Sequence, residues 1–310
     1  MSAPRHRTRV TTATLALFND DRALFDEFAP AVRRFVAKHP ADVLVLETGD
    51  AQRSDHSVER WSHLTIAQRS PEAAVSLLRE HTRHGIPLVL LWISARPVDD
   101  AHFTALAEAA RAIVFDSARV PQCSRALPAV RLQAAALADR GLHDLAFLRI
   151  APWQEAVAHL FDEPRHAAAL QHPREMRIVS GSLADACYLA GWVCAQVGWQ
   201  PDSATSARTA SGDAVRITME RHESAASVRS FTLHGTACTV GASVHGHDAR
   251  SVALCFDEAG TIVERHIAFR APPTEAMIEH AVLAPRAAPV FPRTVEAAAM
   301  LARHLDTAPS

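Results

Sequence analysis

Between Thr11 and Phe115, short aliphatic runs alternate with longer stretches whose apolar residues recur at helical spacing. This alternation constrains the fold more than any other feature of the chain. Thr11–Phe18, Val43–Leu46, Trp61–Ile66, Ile86–Ile93 and Ile113–Phe115 have the length and composition of strands. Val43-Leu44-Val45-Leu46 and Ile86–Ile93 show no polar alternation, so both faces of those strands need cover. Between the strands, Phe25, Phe28, Val32, Phe35 and Val36 form one apolar helical stripe. Asn19 or Asp20 can cap that helix, and His39-Pro40 ends it, because a residue before proline avoids helical backbone. Ser70-Pro71 opens a second helix that stops at Gly85, and Asp99–Arg111 reads as a third. Such alternation builds a largely parallel sheet in a Rossmann-like α/β sandwich.

The pattern changes twice more. Ala118–Arg125 reads as the exit from the first domain, followed by helical stretches over Val130–Arg140 and Pro152–Asp162. Leu145–Ile150 fits strand or helix, and His166–Pro173 reads as a polar connection. Met176–Val179 is then a strand, Ser180-Gly181-Ser182 a turn, and Leu183–Val197 a helix closed by Gly198. From Ala214 the apolar period becomes two, with glycines between the runs, as in an antiparallel meander. Two helices, Pro273–Leu283 and Thr294–Leu305, are expected to cover one face of that sheet. The expected organisation is an N-terminal α/β domain over 1–124, a helical connector over 125–173, and a C-terminal α+β domain over 174–310.

Composition excludes several function classes. With 310 residues, 48% of them hydrophobic, the chain has ample material for two packed cores. Its net charge of -2 gives no general attraction to nucleic acid or to anionic membranes. No window reaches the ~20 apolar residues of a membrane span, and Arg5, Arg7 and Arg9 precede a stretch too short and polar for a secretion signal. Five scattered cysteines without a CxxC pair read as free thiols in a reducing, cytoplasmic setting.

The segment Asp144-Leu145-Ala146-Phe147-Leu148-Arg149-Ile150-Ala151-Pro152-Trp153 is similar to the "DLxWxRLTPWR" segment of OpcA-like proteins. Other pieces follow in the family's order. His39-Pro40 with Val43–Leu46, Ile86–Trp92, Ile113-Val114-Phe115-Asp116-Ser117 and Leu189-Ala190-Gly191-Trp192 each resemble an OpcA element. The resemblance runs over roughly residues 10 to 200, with Phe147, Ala151 and Gln154 departing from the family's Trp, Thr and Arg. It implies a non-catalytic accessory protein that binds glucose-6-phosphate dehydrogenase and promotes its active oligomer, at the entry to the oxidative pentose phosphate pathway. It implies no cofactor and no catalytic residues. In photosynthetic bacteria the family's role is tied to redox control through thioredoxin, so a thioredoxin link is a further expectation.

Several residues stand out as candidate sites, each with a plainer alternative. Asp144, Arg149, Pro152 and Trp153 form an expected partner-contacting or domain-bridging ledge, since Arg and Trp dominate binding hot spots; alternatively Trp153 packs between the domains and Arg149 pairs with a carboxylate such as Asp144. Asp116 and Ser117 stand at a strand end, where ligands gather in α/β sheets, or they simply close a turn. Ser180 and Ser182 could cradle a phosphate at a helix N-terminus, or Ser182 caps the helix. No G-x-G-x-x-G or Gly-Lys-Ser/Thr motif accompanies them. The strand ends of the N-terminal domain carry the rival reading, a sugar-phosphate or nucleotide sensor or enzyme. Cys123, in a Pro- and Ser-containing loop, is expected to be the exposed thiol. Cys187 and Cys194, two helical turns apart, are too distant for a disulfide. His245-Gly246-His247-Asp248 resembles a metal cluster but fits a hairpin turn as well, and no metal site is expected.

Overall fold

The computed structural model describes residues 11–48, 61–244, 250–258, 260–284, 286–303 and 305. In chain order the first elements are β1 (Ala13–Asn19), α1 (Arg22–Lys38), β2 (Ala41–Glu47), β3 (Ser62–Thr65), α2 (Pro71–His81), β4 (Leu88–Ile93), α3 (Ala101–Ala109) and β5 (Ala112–Phe115). Then come α4 (Cys123–Ala136), β6 (Gly141–Asp144), α5 (Leu145–Arg149), α6 (Ala151–His159), α7 (Ala168–Gln171), β7 (Pro173–Ser180) and α8 (Leu183–Val197). The rest are β8 (Gln200–Ser203), β9 (Ser206–Arg208), β10 (Ala214–Arg221), β11 (Val228–Gly235), β12 (Cys238–Val244), β13 (Ser251–Glu258), β14 (Thr261–Ala268), α9 (Thr274–Leu283) and α10 (Phe291–Ala302).

The chain divides into two compact units. The first comprises Met1–Phe115, Asp139–His143 and Thr274–Arg286; the second comprises Asp116–Ala138, Asp144–Pro273 and Ala287–Ser310. The stretch expected as a connector, 125–173, thus lies in the second unit except for Asp139–His143.

Among the described residues, the sheet of the first unit has the order β3-β2-β1-β4-β5-β6. β1 is central and pairs in parallel with β2 and β4, Leu15 lying opposite both Val43 and Val89. β2–β3 and β4–β5 are parallel as well. The chain builds outward from β1 to β3 and then returns to β4, so strand order reverses at the β1/β4 boundary. Every residue of β1 and β4 is buried, as the unbroken apolar run of β4 requires, and in β1 this includes the polar Thr14 and Asn19. One expectation fails here. α9, expected on the second domain's sheet, belongs to the first unit, where Glu275 pairs with Arg34 and Lys38 at 2.6 Å and Glu279 with His39 at 2.8 Å.

The sheet of the second unit runs β14-β13-β12-β11-β7-β10-β9-β8. It is mainly antiparallel, with β7 and β10 as a parallel pair. An alternating apolar pattern is the same for either strand direction, so sequence could not show this pair. α7 forms within the stretch expected to be a polar connection. α8 is capped by Ser182 and ends at Gly198 with φ +74°, the left-handed C-terminal position that favours glycine. At Gly191 a Cβ would lie 2.7 Å from the Ala298 nitrogen and 2.8 Å from the Thr294 carbonyl oxygen. Glycine there lets α8 and α10 pack backbone to backbone.

Candidate functional site

Most of the Asp144–Trp153 segment is buried in the second unit, with Ala151 exposed and Leu148, Arg149 and Pro152 half-buried. Asp144 accepts at one oxygen from the Ala146 and Ser117 backbone N–H groups, both at 3.0 Å, and so caps α5. Its other oxygen accepts from the Tyr188 hydroxyl at 2.7 Å. Arg149 ends the short α5 helix and spreads its guanidinium between two carboxylates, donating to Asp185 at 2.9 Å and to Asp116 at 2.5 Å. Asp185 also accepts from Ser227 at 2.6 Å. Asp116, Asp144, Asp185 and Tyr188 are all buried. Phe147 and Tyr188 meet edge to face, so aromatic rings close the apolar side of the cluster.

Three buried carboxylates crowd around Arg149, which bonds two of them, while Arg119 lies 3.5 Å from Asp116, and the excess of acid shows in their acidities. Burial and the neighbouring Asp116 charge push Asp144 up to about 6. Burial also pushes Asp185 up to about 6, even though Arg149 and Ser227 oppose it. Burial alone would lower the Arg149 pKa, but Asp116 and Asp185 outweigh it and hold the guanidinium charged. Burial and the Asp144 charge raise the Tyr188 hydroxyl well above its usual value. Asp144 and Asp185 therefore hold a proton more readily than exposed aspartates do.

The structure unites residues that lie in separate motifs of the sequence: Asp116 and Ser117 from the strand-end candidates, Asp144 and Arg149 from the expected ledge. The ledge itself needs correction. Trp153 is 1% exposed and packs against Phe269, and Asp144 is equally buried. Only half-buried Pro152 and a fraction of Arg149 reach solvent. Trp153 is thrown inward from the first turn of α6, so neither it nor Asp144 offers surface to a partner. Asp185, Tyr188 and Ser227 are site residues that sequence reasoning misses. Two signals could find the first pair: Asp185 is the one charged residue in the apolar run Leu183–Val197, and Tyr188 is the chain's single tyrosine.

The other candidates are placed as follows. Ser182 caps α8 by accepting from the Asp185 N–H at 3.3 Å, and Ser180 accepts from the Ser182 N–H. Gly181 is required because a Cβ there would lie 1.6 Å from the Ala225 carbonyl oxygen. Beside this turn is a small cavity of about 150 Å³ lined in part by Val120, Cys123, Ser182 and Arg221. Cys123 is buried at the start of α4, which corrects its expected exposure. Cys187 and Cys194 are buried too, and burial pushes the Cys194 thiol up to about 12. His245 to Asp248 lies outside the described residues. Among the described residues no group of His, Cys, Asp or Glu is arranged to hold a metal ion, and no helix is long and apolar enough to cross a membrane.

Residues 140–295, which include most of this cluster, match the OpcA family model for the C-terminal domain of a glucose-6-phosphate dehydrogenase subunit. The chain belongs to the OpcA family. It is similar to a "Putative OxPP cycle protein OpcA" of Nostoc punctiforme, with 31% identity over 121 residues, 38% of this chain and 26% of the relative. The protein of the same name from Synechococcus elongatus is 27% identical over 139 residues, 44% of this chain and 31% of the relative. The OpcA match therefore spans about a quarter to a third of those curated relatives. Solved structures share the fold over nearly the whole chain. KijD10, a 3-ketoreductase from Actinomadura kijaniata in complex with TDP-benzene and NADP, gives a TM-score of 0.60 at 13% identity, covering 96% of this chain and 98% of KijD10. An aldose-aldose oxidoreductase from Caulobacter crescentus gives 0.55 at 12% identity, covering 94% and 98%.

Proposed function

We propose that this OpcA-family chain is a cytoplasmic accessory protein that binds glucose-6-phosphate dehydrogenase and favours its assembled, active oligomer, with no chemistry of its own. The observation that carries the reading is the family match across residues 140–295. The Asp144–Trp153 motif supports it from inside. Arg149 is held by internal carboxylates, and Trp153 and Asp144 face the core. A motif committed to internal contacts acts as a strut that fixes the shape of the surrounding surface. A protein that binds the assembled form of a partner more tightly than the dissociated form shifts the partner's population by mass action.

Co-purification with the host's glucose-6-phosphate dehydrogenase tests this, followed by that enzyme's oligomeric state by light scattering and its specific activity with and without the chain. A stable complex, a larger oligomer and higher activity are expected. Absence of all three refutes the proposal. The rival reading, a sugar-phosphate or nucleotide sensor, draws on the fold shared with the NADP complex of KijD10. A thermal-shift series with glucose 6-phosphate and nucleotides separates the two.

A further inference from the structure

A sheet that reverses its strand order between β1 and β4 is where dinucleotide-binding folds seat their cofactor. The pyrophosphate then rests on the turn from the first strand into the first helix, and glycines in that turn let the backbone approach it. In this chain the turn reads Asn19-Asp20-Asp21-Arg22 and contains no glycine. We infer that the dinucleotide crevice of the first unit is closed by its own carboxylates, so that the chain keeps the fold without the cofactor site.

Three contacts carry the inference. The Asp21 carboxylate accepts from the N–H groups of Ala23 and Leu24, at 2.8 and 3.2 Å. Those are the donors at the start of α1 that a phosphate would take. Asp20 turns the other way, across the β1/β4 boundary. It accepts from the Ser94 hydroxyl at 2.9 Å and pairs with Arg96 at 2.8 Å, tying the end of β1 to the loop after β4. Ser94 in turn accepts from the Arg96 N–H at 2.9 Å, which fixes that loop against the carboxylate. Arg22, the cation next to the turn, is paired with Asp26 at 2.8 Å. Asn19 Oδ1 and Asp20 Oδ1 are further buried acceptors at the same strand end. Acceptors and carboxylates repel the oxygens of a pyrophosphate, and the helix donors that would offset that repulsion are taken.

The test uses the full chain and NADPH, NADP and NAD as probes. Fluorescence titration and calorimetry measure binding up to about 1 mM, and hydrogen exchange of residues 19–24 reports on the turn. No saturable binding and no change in exchange are expected. Saturable binding that leaves 19–24 unprotected places the nucleotide elsewhere and keeps the crevice closed, as inferred. Binding tighter than about 100 μM that protects residues 19–24 overturns the inference.

Discussion

Arg149→Met is the sharpest probe of the buried cluster. Methionine fills much the same volume and removes the charge that Asp116 and Asp185 share. Arg149 is 17% exposed, and its partners Asp116 and Asp185 are 4% and 0% exposed, so solvent replaces little of what is lost. Removing one partner of a buried ion cluster costs about 3–5 kcal/mol. The pH dependence distinguishes this cost from simple packing loss. A carboxyl whose pKa is higher in the folded chain than in the unfolded one binds its proton more tightly when folded, so stability falls as pH rises between the two values. Asp185, at about 6 when folded, already behaves this way below pH 6. Without Arg149 its pKa rises further, and the window of loss extends into neutral pH. The deficit of the variant is then larger at pH 7 than at pH 5, by up to about 1.4 kcal/mol once the additional shift reaches one unit. Urea unfolding at both pH values, followed by tryptophan fluorescence and circular dichroism, measures it. A deficit under about 1 kcal/mol at pH 7, or the same deficit at both pH values, refutes the argument that Arg149 stabilises the fold by neutralising these acids.

Replacing the whole charged set behaves differently from breaking it. The triple variant Asp116→Asn, Arg149→Met, Asp185→Asn removes both carboxylates that Arg149 pairs with and leaves Asp144 held by the Ser117 and Ala146 N–H groups and the Tyr188 hydroxyl, so it is expected to recover at least half of the Arg149→Met loss; a triple variant less stable than the single one contradicts this. Gly191→Val drives side-chain atoms into the Thr294 and Ala298 backbone; it is expected to cost about 2 kcal/mol or more, read as a drop in Tm of several degrees. In a thiol titration of the native chain, Cys123, Cys187, Cys194 and Cys238 are buried and Cys255 is half-exposed. Cys255 is expected to react first, slowly because burial and Glu264 raise its pKa, and Cys255→Ser should remove that phase. A fast reaction at Cys123 contradicts its buried position.

The sequence discloses the first sheet because Val43–Leu46 and Leu88–Ile93 are buried on both faces and tolerate no polar residue. It conceals the parallel β7–β10 pair, because Val215, Ile217 and the Met176–Ile178 pair alternate alike in either direction. It conceals the destination of α9 too, since the contacts that hold it, Arg34 and Lys38 to Glu275, span some two hundred and forty residues of chain. The same distance rule governs the candidate site. Asp116, Asp144, Arg149 and Asp185 are ordinary surface residue types, and their convergence depends on a turn after β5, a cap on α5 and the first turn of α8. Trp153 is ambiguous in sequence because an amphipathic ring beside a proline looks the same whether it faces a partner or a core; the Phe269 ring decides it. Buried as they are, Asp144 and Trp153 offer no surface for direct contact with a partner. On the proposed reading, the motif's chemistry bears on partner binding only through the position of the segment it braces.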